Sequence, residues 1–157
     1  MAFSVPNETV LYVLEADRTM PPELQTVFYL KPRTGTAGTR IMAKYSQARV
    51  SRGGSDKIDV DRWLQAGIAE FLETVVKVEN YLLDPKSDET LVRILVQDSA
   101  AEPQLSYRER NYYSITTEQR DQLTAIAKIM SPADMAEISE AATNMSQLRE
   151  GEKKRSS

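Results

Sequence analysis

The segment from Asp59 to Val75 constrains the fold of this chain most strongly, because its apolar residues recur every three or four positions. This spacing predicts an amphipathic α-helix, with Asp59 or Asp61 capping its N-terminus. The expected apolar face consists of Val60, Trp63, Leu64, Gly67, Ile68, Phe71, Leu72 and Val75. Such a helix must bury that face, so we expect it in the core, with Trp63 as a core anchor.

Two stretches near the N-terminus, residues 9–14 and 26–30, are rich in β-branched and aromatic residues and predict strands. The prolines at 21–22 predict a turn or loop between them. Farther on, the glycine-containing segments 35–38 and 53–54 bracket a stretch with helical spacing. We therefore expect a short helix within 39–50, with residues 35–38 as the loop that leads into it.

The middle of the chain is ambiguous between helix and strand. Residues 76–83 lose the helical period, and residues 90–96 place apolar side chains on both sides of Arg93. Residues 84–88 predict a turn, whereas residues 98–110 read as an irregular polar connection. Periodicity alone leaves helix and strand open for 76–96.

The last third predicts two short amphipathic helices. Thr116 or Thr117 is a candidate cap for the first, while Ser131 followed by Pro132 marks the start of the second. Together they predict an αα-hairpin. We expect an α+β fold, mostly α: an N-terminal β-containing portion with a basic segment at 1–58, a helical portion at 59–148, and a disordered polar tail at 149–157.

The charge of the chain is strongly segregated. Residues 31–57 contain seven basic residues and one acid, a net charge of +6, so the remainder carries −9 within a total of −3. Such polarity predicts a surface that faces a partner or another copy of the chain, although a solvated surface is the simpler interpretation. The candidate partner-binding cations are Arg33, Arg40, Lys44 and Arg49.

The chain contains no His and no Cys, which excludes several kinds of chemistry. Serine–histidine and cysteine–histidine catalysis, thiolate nucleophiles, disulfides and zinc fingers all require one of these residues. No apolar run approaches the roughly 20 residues of a membrane span, and the N-terminus lacks the pattern of a signal peptide. We therefore expect a soluble, cytoplasmic protein.

The basic segment also raises the possibility of nucleic-acid binding. The glycines at 35 and 38 do not match a Walker A loop, and they fit a GxxG clamp only weakly. Tyr45 is the one aromatic residue in the segment, and the sequence pI near 5.2 opposes affinity for a polyanion. Nucleic acid is therefore not the expected partner.

Carboxylate pairs could in principle support catalysis or bind a metal ion. Asp59 and Asp61 suit a helix start, and Glu70 and Glu73 are expected on the polar face of that helix. The EF-hand spacing is missing. We therefore predict no enzyme activity, cofactor or metal site.

Methionines offer a second candidate for partner binding. Met130, Met135 and Met145 follow the helical spacing of the two C-terminal helices. Methionine adapts to varied helical partners, although such a stripe also suits internal packing.

The order of these parts is similar to the tail assembly chaperones of long-tailed bacteriophages. The similarity runs from about residue 26 to residue 157 and consists of the following features. They are Leu-Lys-Pro-Arg-Thr at 30–34, a basic helix, an Asp-rich helix start, Trp63-Leu64, Phe-Leu-Glu-Thr-Val-Val at 71–76, and a short polar tail at 148–157.

The resemblance implies a small, non-enzymatic protein in the cytoplasm of the infected cell. Such proteins coat the long tape measure protein, keep it soluble and help tail tube subunits polymerise around it. The implied partners are the tape measure protein, the tail tube protein and further copies of the chain, with no membrane. The alternative is a structural virion or assembly adaptor, such as a head–tail joining or minor capsid component.

Overall fold

The computed structural model describes residues 9–33, 35–52, 55–86, 89–97 and 102–155, which contain seven strands and five α-helices. The strands are β1 (Val10–Tyr12), β2 (Val27–Leu30), β3 (Arg49–Arg52), β4 (Ser55–Ile58), β5 (Val75–Leu83), β6 (Leu105–Tyr107) and β7 (Arg110–Thr117). The helices are α1 (Gly35–Gln47), α2 (Val60–Thr74), α3 (Glu89–Val96), α4 (Arg120–Ile129) and α5 (Pro132–Arg155). Two short 3₁₀ helices, Glu15–Asp17 and Pro22–Leu24, connect β1 to β2.

Five of the strands form one antiparallel sheet with the order β1-β2-β5-β7-β6. The N-terminal strands therefore share one sheet with strands from the middle and the last third of the chain, and β2 pairs directly with β5. The expected fold, mostly α with a small N-terminal β portion, is wrong in this respect, although the protein is α+β. The remaining strands, β3 and β4, form a separate two-stranded hairpin.

Of the two central segments that the sequence left open, one is a strand and the other is a helix. Residues 75–83 form β5, which follows α2 without a loop, and residues 89–96 form α3. The polar connection expected at 98–110 contains β6 instead, paired with β7 through a tight turn. Both central residues of that turn, Arg108 and Glu109, have positive φ, as a two-residue hairpin of this twist requires.

The predicted starts of two helices are confirmed. Asp59 caps α2, because its side chain accepts a hydrogen bond from the Arg62 backbone N–H. Ser131 caps α5 by accepting from the Asp134 backbone N–H, with Pro132 at the first helical position. For α4 the prediction is wrong, since its cap is Gln119, and Thr117 accepts a bond from the Gln119 N–H just outside the helix.

The glycines at 35 and 38 are part of α1 rather than the loop before it. Glycine is a poor helix former, but Ala37 between them is buried and anchors this first turn. The second glycine-containing segment, residues 53–54, lies outside the described residues. Tertiary packing thus outweighs local propensity at the start of α1.

The core combines one sheet with helices from the second half of the chain. Phe28, Val75 and Val78 from the sheet join Phe71 of α2 and Ile126 of α4 in a single buried cluster. Helices α4 and α5 both pack against α2. The predicted C-terminal pair of helices is therefore held together largely through α2, which lies centrally among the helices.

Candidate functional site

A buried carboxylate lies at the centre of α2. Glu70 accepts hydrogen bonds from the guanidinium of Arg33, from the Tyr45 hydroxyl and from the Ser139 hydroxyl. The Arg33 Nη2–Glu70 Oε1 distance is 2.6 Å, and Arg33 Nε also donates to Thr74 Oγ1 at 3.2 Å. These groups come from the β2–α1 connection, α1, α2 and α5, so one polar network joins four parts of the fold.

Tyr45 connects this network to the surface. Burial, the hydrogen bond to Glu70 and the negative charge of Glu70 all raise the pKa of the Tyr45 hydroxyl. It therefore acts as a neutral donor at physiological pH. The other side of the ring packs edge-on against Trp63, with ring centroids 4.6 Å apart.

Trp63 belongs to an exposed apolar surface rather than to the core. It is 38% exposed, and its helical neighbours Val60 and Leu64 are 65% and 52% exposed. We use the name α1–α2 patch for five exposed apolar side chains on neighbouring elements: Met42 of α1, Ile58 at the end of β4, and Val60, Trp63 and Leu64 of α2. The expected role of Trp63 as a core anchor is wrong, because the buried residues of α2 are Ala66, Glu70, Phe71 and Thr74.

The predicted apolar face of α2 is confirmed in its C-terminal half, where Phe71 is in the core, and is wrong in its N-terminal half, which is exposed. The sequence pattern also did not predict that a charged residue is buried in this helix. Ala66, Glu70 and Thr74 are spaced four residues apart and share one side of α2. Glu70 therefore points inward, contrary to the polar-face prediction. The one signal in the sequence that this side is closely packed is the small size of Ala66 and Thr74, four residues before and after Glu70.

Basic side chains surround the α1–α2 patch. Arg40 pairs with Glu73 at 3.4 Å and Arg62 pairs with Asp59 at 3.6 Å, both with exposed guanidinium groups. Three further cations are exposed near the patch and form no salt bridge within the described part of the chain: Lys44, Arg49 and Lys57. The patch therefore combines exposed apolar area with cations that form no salt bridge among the described residues.

The predicted partner-binding residues fall in two different environments. Arg40, Lys44 and Arg49 lie at the surface near the α1–α2 patch, whereas Arg33 is directed inward to Glu70. The methionines do not form an exposed stripe. Met130 is buried, and Met135 and Met145 are half-buried against the core cluster.

Several residues of the patch were not identified from the sequence as functional. Val60 and Leu64 of α2 were predicted only as members of an apolar helix face, and for Met42 of α1 only a short helix within 39–50 was predicted. Their exposure depends on how α1 and α2 pack, with Tyr45 against Trp63 between them. The spacing of apolar residues in the sequence does not predict how α1 and α2 are rotated against each other.

The described residues contain no group of three or more acidic side chains placed to hold a metal ion. Within the same residues, every helix is too short or too polar to cross a membrane. No family model, curated protein or solved structure matches this chain.

Proposed function

We propose that this chain is a non-enzymatic tail assembly chaperone of a long-tailed bacteriophage, which binds the tape measure protein and assists polymerisation of the tail tube. Its order of parts resembles that family. The structural observation that carries the proposal is the α1–α2 patch, where apolar side chains of two adjacent helices are exposed among cations.

The chemistry of the patch favours an amphipathic helix with acidic flanks as its partner. Exposed Met42, Val60 and Leu64 offer apolar area into which the apolar stripe of a helix can pack. Lys44 and Lys57, exposed and without a salt-bridge partner in the described residues, would attract acids beside that stripe. A long helical client with many such stripes would engage many copies of the chain.

Co-expression with the candidate tape measure protein tests this function. We expect the client to remain soluble with the wild-type chain and to precipitate with Leu64→Ser, which removes apolar area from the patch. Ile94→Ser is the matched control, because Ile94 is also a half-exposed aliphatic residue on a helix, in α3. Equal client solubility with Leu64→Ser and with the control would contradict a role for the patch.

The single tryptophan of the chain provides a direct measurement of binding at the patch. When a tryptophan-free peptide from the client covers Trp63, the fluorescence emission of Trp63 should shift to shorter wavelength, because water leaves the indole ring. A client that binds without changing this emission would have to bind elsewhere on the chain.

The alternative function, a structural adaptor, differs from a chaperone in whether the protein is part of the finished phage particle. A chaperone is absent from purified particles, whereas an adaptor is present in symmetric copy number. Quantitative mass spectrometry of the particles separates the two, and a stoichiometric signal would overturn the chaperone proposal. A client that stays insoluble with an excess of the chain would also overturn it.

A further inference from the structure

A cavity of about 300 Å³ lies between the 3₁₀ helices that follow β1 and the strands β5, β6 and β7. Three tyrosines and two aspartates contribute to its lining: Tyr81, Tyr107, Tyr112, Asp17 and Asp134. Apolar side chains that include Phe28 and Met130 line the part nearest the core. None of these residues belongs to the α1–α2 patch.

The two aspartates bring two carboxylates to the lining of this cavity. Burial raises the pKa of Asp17, and the carboxylate of Asp134 raises it further, with a smaller effect of Glu137. A hydrogen bond from the Thr26 backbone offsets part of this shift. No basic side chain of the described residues forms a salt bridge with Asp17 or Asp134. A bound cation would relieve this repulsion.

The tyrosine rings supply the second requirement for a cation site. The guanidinium of Arg108 already lies 5.3 Å from the ring centroid of Tyr107, so one ring of the lining accepts a guanidinium group. Tyr81 and Tyr112 stack on no other ring and no cation within the described residues. The nearby Arg18 is stacked on Tyr12 and donates to the Val13 carbonyl. Tyr81 and Tyr112 therefore contribute aromatic surface to the lining that no other ring or cation of the described residues occupies.

We propose that this cavity binds an organic cation, a guanidinium or alkylammonium group, held between the two aspartates and the tyrosine rings. Its volume is at the lower end of the range for ligand sites, which suits a group the size of one arginine or lysine side chain. The cation can come from a side chain of a partner protein or from a free amine. The site is separate from the proposed chaperone function, so either proposal can fail without the other.

Amide chemical shifts of the ¹⁵N-labelled full chain test the site and distinguish the two sources. The probes are Nα-acetylarginine methylamide for a protein side chain, spermidine for a free amine, and Nα-acetylcitrulline methylamide as a neutral analogue of the first. We expect saturable shifts at Tyr81, Tyr107 and Tyr112 with at least one cation and none with citrulline. The absence of saturable shifts with both cations at millimolar concentration would overturn the proposal.

Two variants test whether the carboxylates carry the binding. Asp17→Asn and Asp134→Asn should each weaken cation binding by about tenfold, since each removes one charge from the site. Asp61→Asn is the matched control, because Asp61 lies in the first turn of α2 as Asp134 lies in the first turn of α5. A folded Asp17→Asn protein that binds like the wild type would overturn the site, even if Asp134→Asn does not fold.

Discussion

The Nη2 atom of Arg33 lies 2.6 Å from Oε1 of Glu70, and their side chains are 14% and 10% exposed. Arg33 lies in the β2–α1 connection, whereas Glu70 lies within α2. Hydroxyl groups of Tyr45 and Ser139 complete the coordination of the same carboxylate. The position of α1 against α2, and therefore the shape of the α1–α2 patch, depends on this ion pair.

Removal of the Glu70 charge should strongly destabilise the protein. In Glu70→Gln the guanidinium of Arg33 remains buried without its counter-charge, and breaking a buried pair in this way costs about 3–5 kcal/mol. The control Glu73→Gln removes the partner of the exposed Arg40 and should cost about 1 kcal/mol or less. Urea unfolding measures both free energies, and similar values for the two variants would contradict a stabilising role for the pair.

Replacement of both partners separates the cost of an orphaned charge from the value of the pair. Arg33→Met combined with Glu70→Leu leaves no buried charge, so we expect the double variant to be more stable than Glu70→Gln. A double variant that is less stable than Glu70→Gln would show that the hydrogen bonds to Tyr45 and Ser139 contribute more than the ion pair.

Local signals in the sequence were sufficient for several elements. The strands near 9–14 and 26–30, the helix beginning at Asp59 and the helix beginning at Ser131 were all predicted and are present. Each carries a signal within a few residues, such as a β-branched run or a capping side chain. In the C-terminal half of the sheet, β6 has only three residues within a polar stretch and lacks such a signal. β7 does contain an aromatic and β-branched run, Tyr-Tyr-Ser-Ile-Thr-Thr at 112–117, although no strand was predicted there.

The candidate site was predicted only in part, for a related reason. The segregation of positive charge in residues 31–57 is visible in the sequence, and Arg40 and Lys44 are exposed as expected. The inward rotation of Glu70 and the exposure of Trp63 depend on contacts with Arg33 and Tyr45, which are distant in sequence. No pattern within α2 alone could locate those partners.

Charge reversal at the patch should weaken association without unfolding the protein. Arg40→Glu, Lys44→Glu and Arg49→Glu alter exposed side chains, so the folded state should tolerate them, while attraction to an acidic client or to another copy is lost. Sedimentation and client pull-down at low and high salt measure the effect, which salt should diminish.

The control for charge reversal changes the net charge equally at exposed positions elsewhere. Lys86→Glu, Arg93→Glu and Lys128→Glu together meet this requirement, since all three side chains are exposed. We expect this triple variant to associate almost normally. Unchanged association of the patch variant at low salt would remove the basic side chains from the mechanism.

Asp17 should make the protein less stable as pH rises through the acidic range. Its pKa is raised above the ordinary value of 3.8 by burial and by Asp134, so the folded state holds this proton more firmly than the unfolded state does. The stabilisation is present below 3.8 and is lost as pH increases through the raised pKa. Asp17→Asn should abolish this contribution and raise Tm at neutral pH relative to wild type.

Thermal unfolding between acidic and neutral pH tests this prediction against a second aspartate. The control Asp61→Asn removes an exposed carboxylate from the first turn of α2, where it favours the helix, so its Tm at neutral pH should not rise. A lower Tm for Asp17→Asn at neutral pH would contradict the predicted repulsion between Asp17 and Asp134.

Asn80 should stabilise the fold through both its backbone and its side chain. It has a φ of 57° at a bulge in β5, and its Nδ2 donates to the carbonyls of Glu23 and Gln25 at 2.8 and 3.1 Å. Asn80→Gly keeps the backbone conformation and loses those bonds, for a cost of about 1–3 kcal/mol. Asn80→Ala also places a Cβ in the left-handed region, so it should cost about 1–2 kcal/mol more.

Urea unfolding of the two Asn80 variants separates these effects. The control is Asn111→Ala, at an exposed residue of β7, which should lie within about 0.5 kcal/mol of wild type. Equal stability of the Gly and Ala variants would exclude backbone strain as a cause. The bonds from Asn80 hold the backbone on both sides of Leu24, which lines the tyrosine-containing cavity. A folded Asn80→Gly protein should therefore also bind the organic cation more weakly, because that wall of the cavity is held to β5 by fewer hydrogen bonds.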